Sequence, residues 1–297
     1  MELRNLKSFL VVAREENITR AANLLHITQP SLSRQIMQLE DELGVKLFRR
    51  SNHSIILTEQ GHLLRRRAQE ILELEEKAQR ELSQENQAVS GEITIGCAES
   101  QNIETLTKLM TEFQLEYPDV VFDIYTAVAD DVKERMENGL VDIGMLLEPV
   151  EIASYNFIRM PKKEKWCILM RKGCPLSQKD AIEASDLVGQ KMIISKRKSV
   201  KNELENWLGD YYNQIKIVGT TNLSYYNRII MVKNGFGIAT CHEFDNTDDD
   251  LCLRPIIPEI LNGSVIIWKK SEIHSLAVEK FIDFLKKKLE MHKTHNL

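Results

Sequence analysis

A chain of 297 residues has room for roughly two domains of about 150 residues each, and its 43% hydrophobic and 28% charged residues exclude disordered, collagen-like and coiled-coil-only proteins. Apolar stretches such as Ile143-Gly144-Met145-Leu146-Leu147 fall far short of the ~20 residues a membrane span requires. Met1-Glu2-Leu3-Arg4-Asn5 carries charge where a signal peptide has its apolar segment, which predicts a cytoplasmic protein without a membrane partner.

The net charge of −5 conceals a division. Residues 1–67 hold eleven Lys+Arg against seven Asp+Glu, and the remainder is −9, so a basic head that can meet a polyanion is joined to an acidic body. In the head, Leu3, Leu6, Leu10 and Ala13, with Phe9 beside them, recur at the spacing of one buried helical stripe. Glu15-Glu16-Asn17 ends that helix. A short second helix follows with Ile18, Ala21, Ala22, Leu24 and Leu25 inward, its alanines permitting a close helix crossing, and His26-Ile27 makes a tight turn. Thr28 is placed as an N-cap with Pro30 in the first turn. The third helix so opened has Leu32, Ile36, Leu39 and Leu43 on its inner face and stops at Gly44. Counting about 100° per residue from Leu32, Arg34, Gln38 and Ser31 point outward, while Gln29 and Ser33 lie on the flank near the N-terminal end. Such groups suit base edges, Arg pairing bidentately with guanine and Gln with adenine, and a helix N-terminus offers free N–H groups to phosphate. Val45–Arg50 and Ile55–Leu57 read as two short strands about the tip Ser51-Asn52-His53-Ser54, a cationic wing. Three helices and a hairpin predict a winged helix-turn-helix that inserts its recognition helix into the major groove of double-stranded DNA.

Ala21-Ala22, the run Gln29-Pro30-Ser31-Leu32-Ser33-Arg34-Gln35-Ile36, Leu39-Glu40, Leu43-Gly44, Leu47-Phe48-Arg49-Arg50 and Leu57-Thr58-x-x-Gly61 closely resemble the N-terminal signature of LysR-type transcriptional regulators, ungapped over about the first 65 residues. The resemblance implies base contacts at Gln29, Pro30, Ser33 and Arg34, with Arg50 and the wing tip at the backbone or minor groove. Together with Thr28, Ser31 and Gln38 these are the DNA-binding candidates. Relatives often carry an arginine at the wing tip where this chain has His53, and a neutral imidazole adds little attraction for phosphate near pH 7.

From Glu59 to Gln87 there is no proline, and Leu64, Ala68, Ile71, Ala78 and Leu82 fall on alternating four- and three-residue steps with Glu75 in one core slot, a coiled-coil-like seam. Residues 59–90 are therefore expected to form a linker helix that dimerises; a helix packed on its own domain is the alternative, disfavoured by the high charge and the single narrow apolar stripe. Arg65-Arg66-Arg67 at its start reads either as a phosphate contact or as a solvated run. The resemblance implies pairing through this helix and assembly into a tetramer; two heads so paired are expected to read a two-fold-symmetric operator, and RNA polymerase is a further candidate partner. Ser90-Gly91 marks the hinge to the body.

In the body, Ile93–Gly96, Val120–Tyr125 and Val141–Leu147 read as strands separated by helices at Ile103–Phe113 and Asp130–Asn138. A second set comprises Trp166–Met170, Lys191–Ser195, a helix at Ser199–Leu208, Ile215–Val218, and a helix at about Leu223–Lys233 leading into Gly235-Phe236-Gly237-Ile238. Val265–Lys269 and a helix at Ala277–Leu289 finish the chain. Strand–helix alternation predicts parallel sheets covered on both faces, in two α/β lobes with a ligand cleft at the carboxyl ends of their strands. The resemblance implies a periplasmic-binding-protein-like, two-lobed effector domain over 91–297: lobe 1 is residues 91–160 and 266–297, lobe 2 residues 161–265. It places the small-molecule effector at Ser100, Gln101, Asn102, Ala129, Ser195, Lys196, Thr221 and Asn222. Relatives often have Ser or Thr at the position of Ala129. Lys196-Arg197-Lys198 reads equally as a sign of a carboxylate or other anionic effector and as a solvated turn.

Other functions find little support. Gly96-Cys97-Ala98-Glu99-Ser100 is not a nucleophile elbow, Gly235-Phe236-Gly237 lacks the third glycine of a dinucleotide loop, and there is no P-loop; no catalytic residues, and no cofactor beyond the effector, are expected. The five cysteines (97, 167, 174, 241, 252) make no C-x-x-C pair and the seven histidines are scattered, so neither a disulfide framework nor a metal site is expected. A free solute-binding protein leaves the head unexplained, and a DNA-bending protein leaves the body unexplained.

Overall fold

The computed structural model describes residues 1–50, 55–82, 89–222, 225–245, 248–271 and 274–294. The chain separates into two compact units, divided near residue 85.

The first unit is a winged helix-turn-helix followed by a long helix: α1 Leu3–Glu15, α2 Ile18–Leu24, α3 Gln29–Leu43, the antiparallel pair β1 Phe48–Arg50 and β2 Ile55–Leu57, and α4 Glu59–Leu82. Its core joins Leu6, Phe9, Val12 and Ala13 of α1 to Ala21 and Ala22 of α2 and to Leu32, Ile36 and Leu39 of α3. Several predicted core positions are displaced. Leu3 and Leu24 are exposed and Leu10 only half-buried, Val12 taking the inward place on α1. Asn17 caps α2 by accepting from the Arg20 amide at 3.0 Å. Thr28 occupies the N-cap position of α3 but makes no side-chain cap bond. Leu43 is 38% exposed, and the buried residue of that turn is Glu40. The reason is the exit: Gly44 adopts φ +67° and sends the chain back along the Glu40 side of the helix, where the carboxylate is needed.

Thr58 and Gly61 join the wing to α4. The Thr58 hydroxyl donates to the Lys46 carbonyl at 2.7 Å and accepts from the Gly61 amide at 3.0 Å, capping the helix. A Cβ on Gly61 would collide with the Leu47 carbonyl; only glycine permits that approach. The first half of α4 does not present the predicted seam. Ala68 and Leu72 are buried against the head, Leu64 and Ile71 pack beside them, and Glu75 pairs with Lys7 of α1 at 3.1 Å. This is the self-packed arrangement that charge and stripe width disfavour, and it exists because α1 supplies both an apolar wall and a lysine. The exposed stripe is Leu63, Leu74, Ala78 and Leu82, of which Ala78 and Leu82 belong to the predicted seam.

The second unit has two lobes. In the first, β3 Gly91–Cys97, β4 Val120–Thr126, β5 Ile143–Leu147, β6 Tyr155–Arg159 and β14 Ser264–Lys269 form a sheet in the order β4-β3-β5-β14-β6, flanked by α5 Asn102–Glu116, α6 Ala129–Glu137 and α9 Leu276–Thr294. Phe113, Phe122 and Phe281 meet edge-to-face in its core. In the second, β7 Glu164–Arg171, β8 Ile182–Glu183, β9 Lys191–Ser195, β10 Lys216–Thr221, β11 Ile238–His242 and β12 Leu251–Ile257 take the order β10-β9-β11-β7-β12-β8, with β13 Leu261–Asn262 also paired to β7; α7 Lys198–Leu208 and α8 Tyr225–Lys233 pack on this sheet. The sheets are mixed, not parallel: β14 is antiparallel to β5 and β6, and β7 to β11 and β12. These strands carry the chain between lobes and enter each sheet directly, without the helical crossover that makes neighbours parallel. The crossings fall at residues 160–163 and at Gly263, between the β6–β7 and β13–β14 pairs.

Candidate recognition helix and effector cavity

On α3 the inward Leu32, Ile36 and Leu39 leave Gln29, Pro30, Ser31, Arg34 and Gln38 exposed and Ser33 half-exposed. Gln29 Nε2 donates to Ser33 Oγ at 2.8 Å, so these two groups are held side by side one turn apart. Ser8 on α1 donates to Gln35 Oε1 at 2.8 Å and fixes the rotation of α3 from its far flank. Gln38 is turned along the helix, donating to Glu42 at 3.0 Å; Glu42 also meets the amino terminus at 2.9 Å. This acidic neighbour draws Gln38 away from the face that carries Arg34. The predicted contacts at the Arg50 side chain and at His53 lie outside the described residues.

Glu40 ties α3 to the wing. Its Oε1 accepts from the amides of Leu47 (2.8 Å) and Phe48 (3.2 Å), and its Oε2 meets Lys46 Nζ at 2.7 Å. Burial alone would raise this carboxyl, but the hydrogen bonds from Lys46 and the two amides outweigh it and hold the group below the ordinary carboxylate value. Sequence reasoning missed Glu40 because a glutamate on a helix is normally solvated.

The second unit has a half-open cavity of about 90 Å³ lined by both lobes. Lobe 1 supplies Ala98, Glu99, Val128, Ala129, Leu147 and Glu148; lobe 2 supplies Trp166, Ser195, Arg197, Val200, Asn222, Tyr225, Arg228, Thr240, Cys241, His242 and Asn262. Of the predicted effector residues, Ala129, Ser195 and Asn222 line it. Ser100, Gln101 and Asn102 instead stitch the lobes together. Ser100 Oγ donates to Glu164, Gln101 Nε2 to the Glu243 carbonyl, and Asn102 Nδ2 to the Lys162 carbonyl (3.0 Å) and Ser264 Oγ (3.2 Å). Ser100 and Asn102 meet residues at the crossings and Gln101 the segment after β11, while Ala98 and Glu99 face the cavity. Lys196 points to solvent; Arg197 beside it turns inward. Thr221 stands behind the wall, its Oγ1 accepting from Arg228 Nε at 2.6 Å.

Two guanidiniums and two carboxylates line the cavity. Arg197 donates to the carbonyls of Leu147 (3.3 Å) and Pro149 (3.1 Å), and burial pulls it below its ordinary value, Asp130's charge acting in the opposite sense. Arg228 donates to Thr221 and to the Thr240 carbonyl at 3.1 Å. Neither has a carboxylate at ion-pair distance among the described residues. Of the two lining acids, Glu99 accepts from the Tyr225 amide at 2.6 Å at the start of α8, and Glu148 lies 3.7 Å from Arg159. On the opposite wall His242 Nε2 meets Asn262 Oδ1 at 3.2 Å, and its Nδ1 meets the Tyr225 hydroxyl at 3.3 Å. Burial lowers the His242 imidazole and raises the thiols of Cys241 and, to about 12, Cys167, so neither cysteine is a thiolate nucleophile near neutrality. Among the described residues no three His, Cys, Asp or Glu side chains cluster to hold a metal, and no helix is long and apolar enough to cross a membrane.

One unit that exposes the polar edge of a helix, followed in the chain by a two-lobed unit with a cavity between its lobes, is the plan of a DNA-binding regulator coupled to a small-molecule sensor. Residues 3–62 match the bacterial regulatory helix-turn-helix protein, lysR family, and residues 86–290 match the LysR substrate binding domain; the chain belongs to the LysR-type family of transcriptional regulators. Over 297 residues it is 28% identical to the Hca operon transcriptional activator HcaR of Escherichia coli (strain K12), covering 97% of this chain and 98% of that one. It is 26% identical over 289 residues to the HTH-type transcriptional regulator IlvY of the same organism, with coverages of 95% and 97%. The fold is similar to that of CbnR, a LysR family transcriptional regulator solved alone and with its target DNA (TM-score 0.76, 19% identity, covering 97% of this chain and 99% of that one, in both cases). These matches are to regulators, not to enzymes.

Proposed function

We propose that this regulator, working on DNA in the cytoplasm, takes an anionic effector, a carboxylate first among candidates, in the cavity between its lobes. The observation that carries this reading is the pair of arginines, Arg197 and Arg228, facing one cavity and, among the described residues, held by carbonyl and hydroxyl partners. Arginine's planar fork pairs bidentately with carboxylate. Arg197 also spans the cleft, so an anion that recruits it changes how one lobe is held to the other. A carboxylate at a hundred times its Kd is expected to stabilise the protein by about 2.7 kcal/mol, roughly 5–10 °C in the melting temperature of a domain this size. A thermal-shift screen of the full chain against small carboxylates, amines and neutral sugars tests this. Arg228→Ala should remove the carboxylate shift while leaving the unliganded melting temperature within a few degrees. Stabilisation by amines or sugars alone would overturn the anion reading.

The head reads DNA through α3, at Gln29, Pro30, Ser33 and Arg34, with Thr28 and Ser31 at the helix start. Two heads are paired through the exposed Leu63–Leu74–Ala78–Leu82 stripe of α4, and such dimers associate further into a tetramer. The operator is then two-fold symmetric, with half-sites about 34–36 Å apart or at multiples of that distance. Arg34→Ala is expected to relax base preference at one position of each half-site, with a loss of about 1–3 kcal/mol on the preferred sequence. Equal weakening on every sequence, measured by competition binding, would show Arg34 to be a phosphate contact only.

A further inference from the structure

We propose that Met37 reads a thymine in the major groove, its side chain packing on the C5-methyl group. The inference rests on the reading of α3 as the recognition helix and adds a determinant to it. Taking Leu32 as zero at about 100° per residue, the inner face spans Leu39, Leu32 and Ile36, centred near 0°. The outward pole lies opposite, and the residues there are Pro30 at about 160°, Arg34 at about 200°, Met37 at about 140° and Asp41 at about 180°. Met37 thus stands on the central line of the face that carries Pro30, Ser33 and Arg34, one turn further along. Gln38 and Ser31, at about 240° and 260°, are at its edge.

Three observations favour a base contact over an incidental exposed side chain. Met37 is 50% exposed and belongs to no apolar cluster of the head, so folding does not account for it. It follows Ser33 by about 6 Å along the helix axis, close enough to reach the base steps next to those that Ser33 and Arg34 contact. The next residue on the same line, Asp41, is acidic and exposed, which repels phosphate and ends the DNA-facing segment there. Met37 is therefore the last side chain on this line that can enter the groove, and an apolar chain with three rotatable bonds can complement only the apolar feature of the groove, the thymine methyl.

The test is binding-site selection from random duplex DNA with the full-length wild type, Met37→Ala and Met37→Leu. One thymine column per half-site is expected to flatten in Met37→Ala and to persist in Met37→Leu, while the columns set by Ser33 and Arg34 are unchanged. Replacing that thymine by uracil, which deletes only the methyl group, should weaken the wild type about fourfold, the worth of burying one methylene-sized group, and leave Met37→Ala unaffected. A wild type that enriches a motif which Met37→Ala enriches identically overturns the role of Met37 alone, as does equal wild-type affinity for thymine and uracil. A wild type that enriches no motif overturns the reading of α3, and this inference with it.

Discussion

Glu40→Ala is expected to cost the head on the order of 3 kcal/mol and to abolish operator binding at temperatures where the wild type binds. Glu40 is only 7% exposed, and its Oε1 is the acceptor for the Leu47 and Phe48 amides. Alanine leaves both amides without that partner in a tight connection, at about 1–3 kcal/mol each. The Lys46 ion pair adds little, because Lys46 is largely solvated. Glu40→Gln keeps the carbonyl acceptor for the amides, so its loss should stay near 1 kcal/mol. The sign with pH follows from the lowered carboxyl: the stabilisation is present above the unfolded carboxylate value near 4.5 and disappears as pH falls through the lower folded value. Urea denaturation of the full chain, with fluorescence anisotropy on an operator duplex, checks both effects. If Glu40→Ala melts with the wild type, the α3–wing connection is held by apolar packing instead.

Glu40 also shows where a sequence stops being readable. The head's architecture was legible because helix stripes, the Pro30 and Gly44 stops and the wing hairpin are local patterns. The exchange of Leu43 for Glu40 was not, since it depends on where the chain goes after Gly44. The same holds for α4: spacing identifies an apolar seam at Leu64, Ala68 and Ile71 but cannot say whether a twin or the chain's own α1 fills it, and Lys7 opposite Glu75 is a pairing across 68 positions. In the body, alternating strands and helices announce two lobes. The antiparallel β7 and β14 and the inward turn of Arg197 and Arg228 arise from long-range topology that no local period encodes. Ser100, Gln101 and Asn102 have the composition of a ligand loop, yet the Ser100 hydroxyl and the Asn102 amide nitrogen bond residues at the crossings and the Gln101 amide bonds the second lobe.

The second large effect falls on Glu164, where those crossings converge. It is 1% exposed at the start of β7, and its Oε1 takes the Ser100 hydroxyl, with Asn102 Nδ2 at 3.4 Å and Ser264 Oγ at 3.5 Å. Glu164→Ala withdraws an acceptor from three buried donors, and a loss on the order of 3 kcal/mol is expected for the second unit. Its other oxygen faces His242 Nδ1 at 3.7 Å. The partners assign the imidazole proton: Asn262 Oδ1 accepts from Nε2–H while Asn262 Nδ2 donates to Glu203 at 3.1 Å, leaving Nδ1 to accept from Tyr225. Protonation at Nδ1 would break that acceptance and turn the ring toward Glu164. Burial opposes it, as does Arg228 on α8, while Glu164, the Asn262 bond and Glu203 on α7 favour it, and the outcome is a lowered value. Between the folded value and the ordinary one near 6.5 the unfolded chain binds a proton that the folded chain does not, so stability falls as pH drops through that window. Glu164→Gln removes one of the forces favouring the proton, so the folded value drops further and the acid-side loss steepens. His242→Gln, which cannot titrate, should flatten the same limb. Melting temperatures of the wild type, Glu164→Gln and His242→Gln from pH 7.5 to 5.5 distinguish them: an unchanged slope in His242→Gln would assign the acid sensitivity to other groups, and an unchanged slope in Glu164→Gln would show that Glu164 and His242 are not electrostatically coupled.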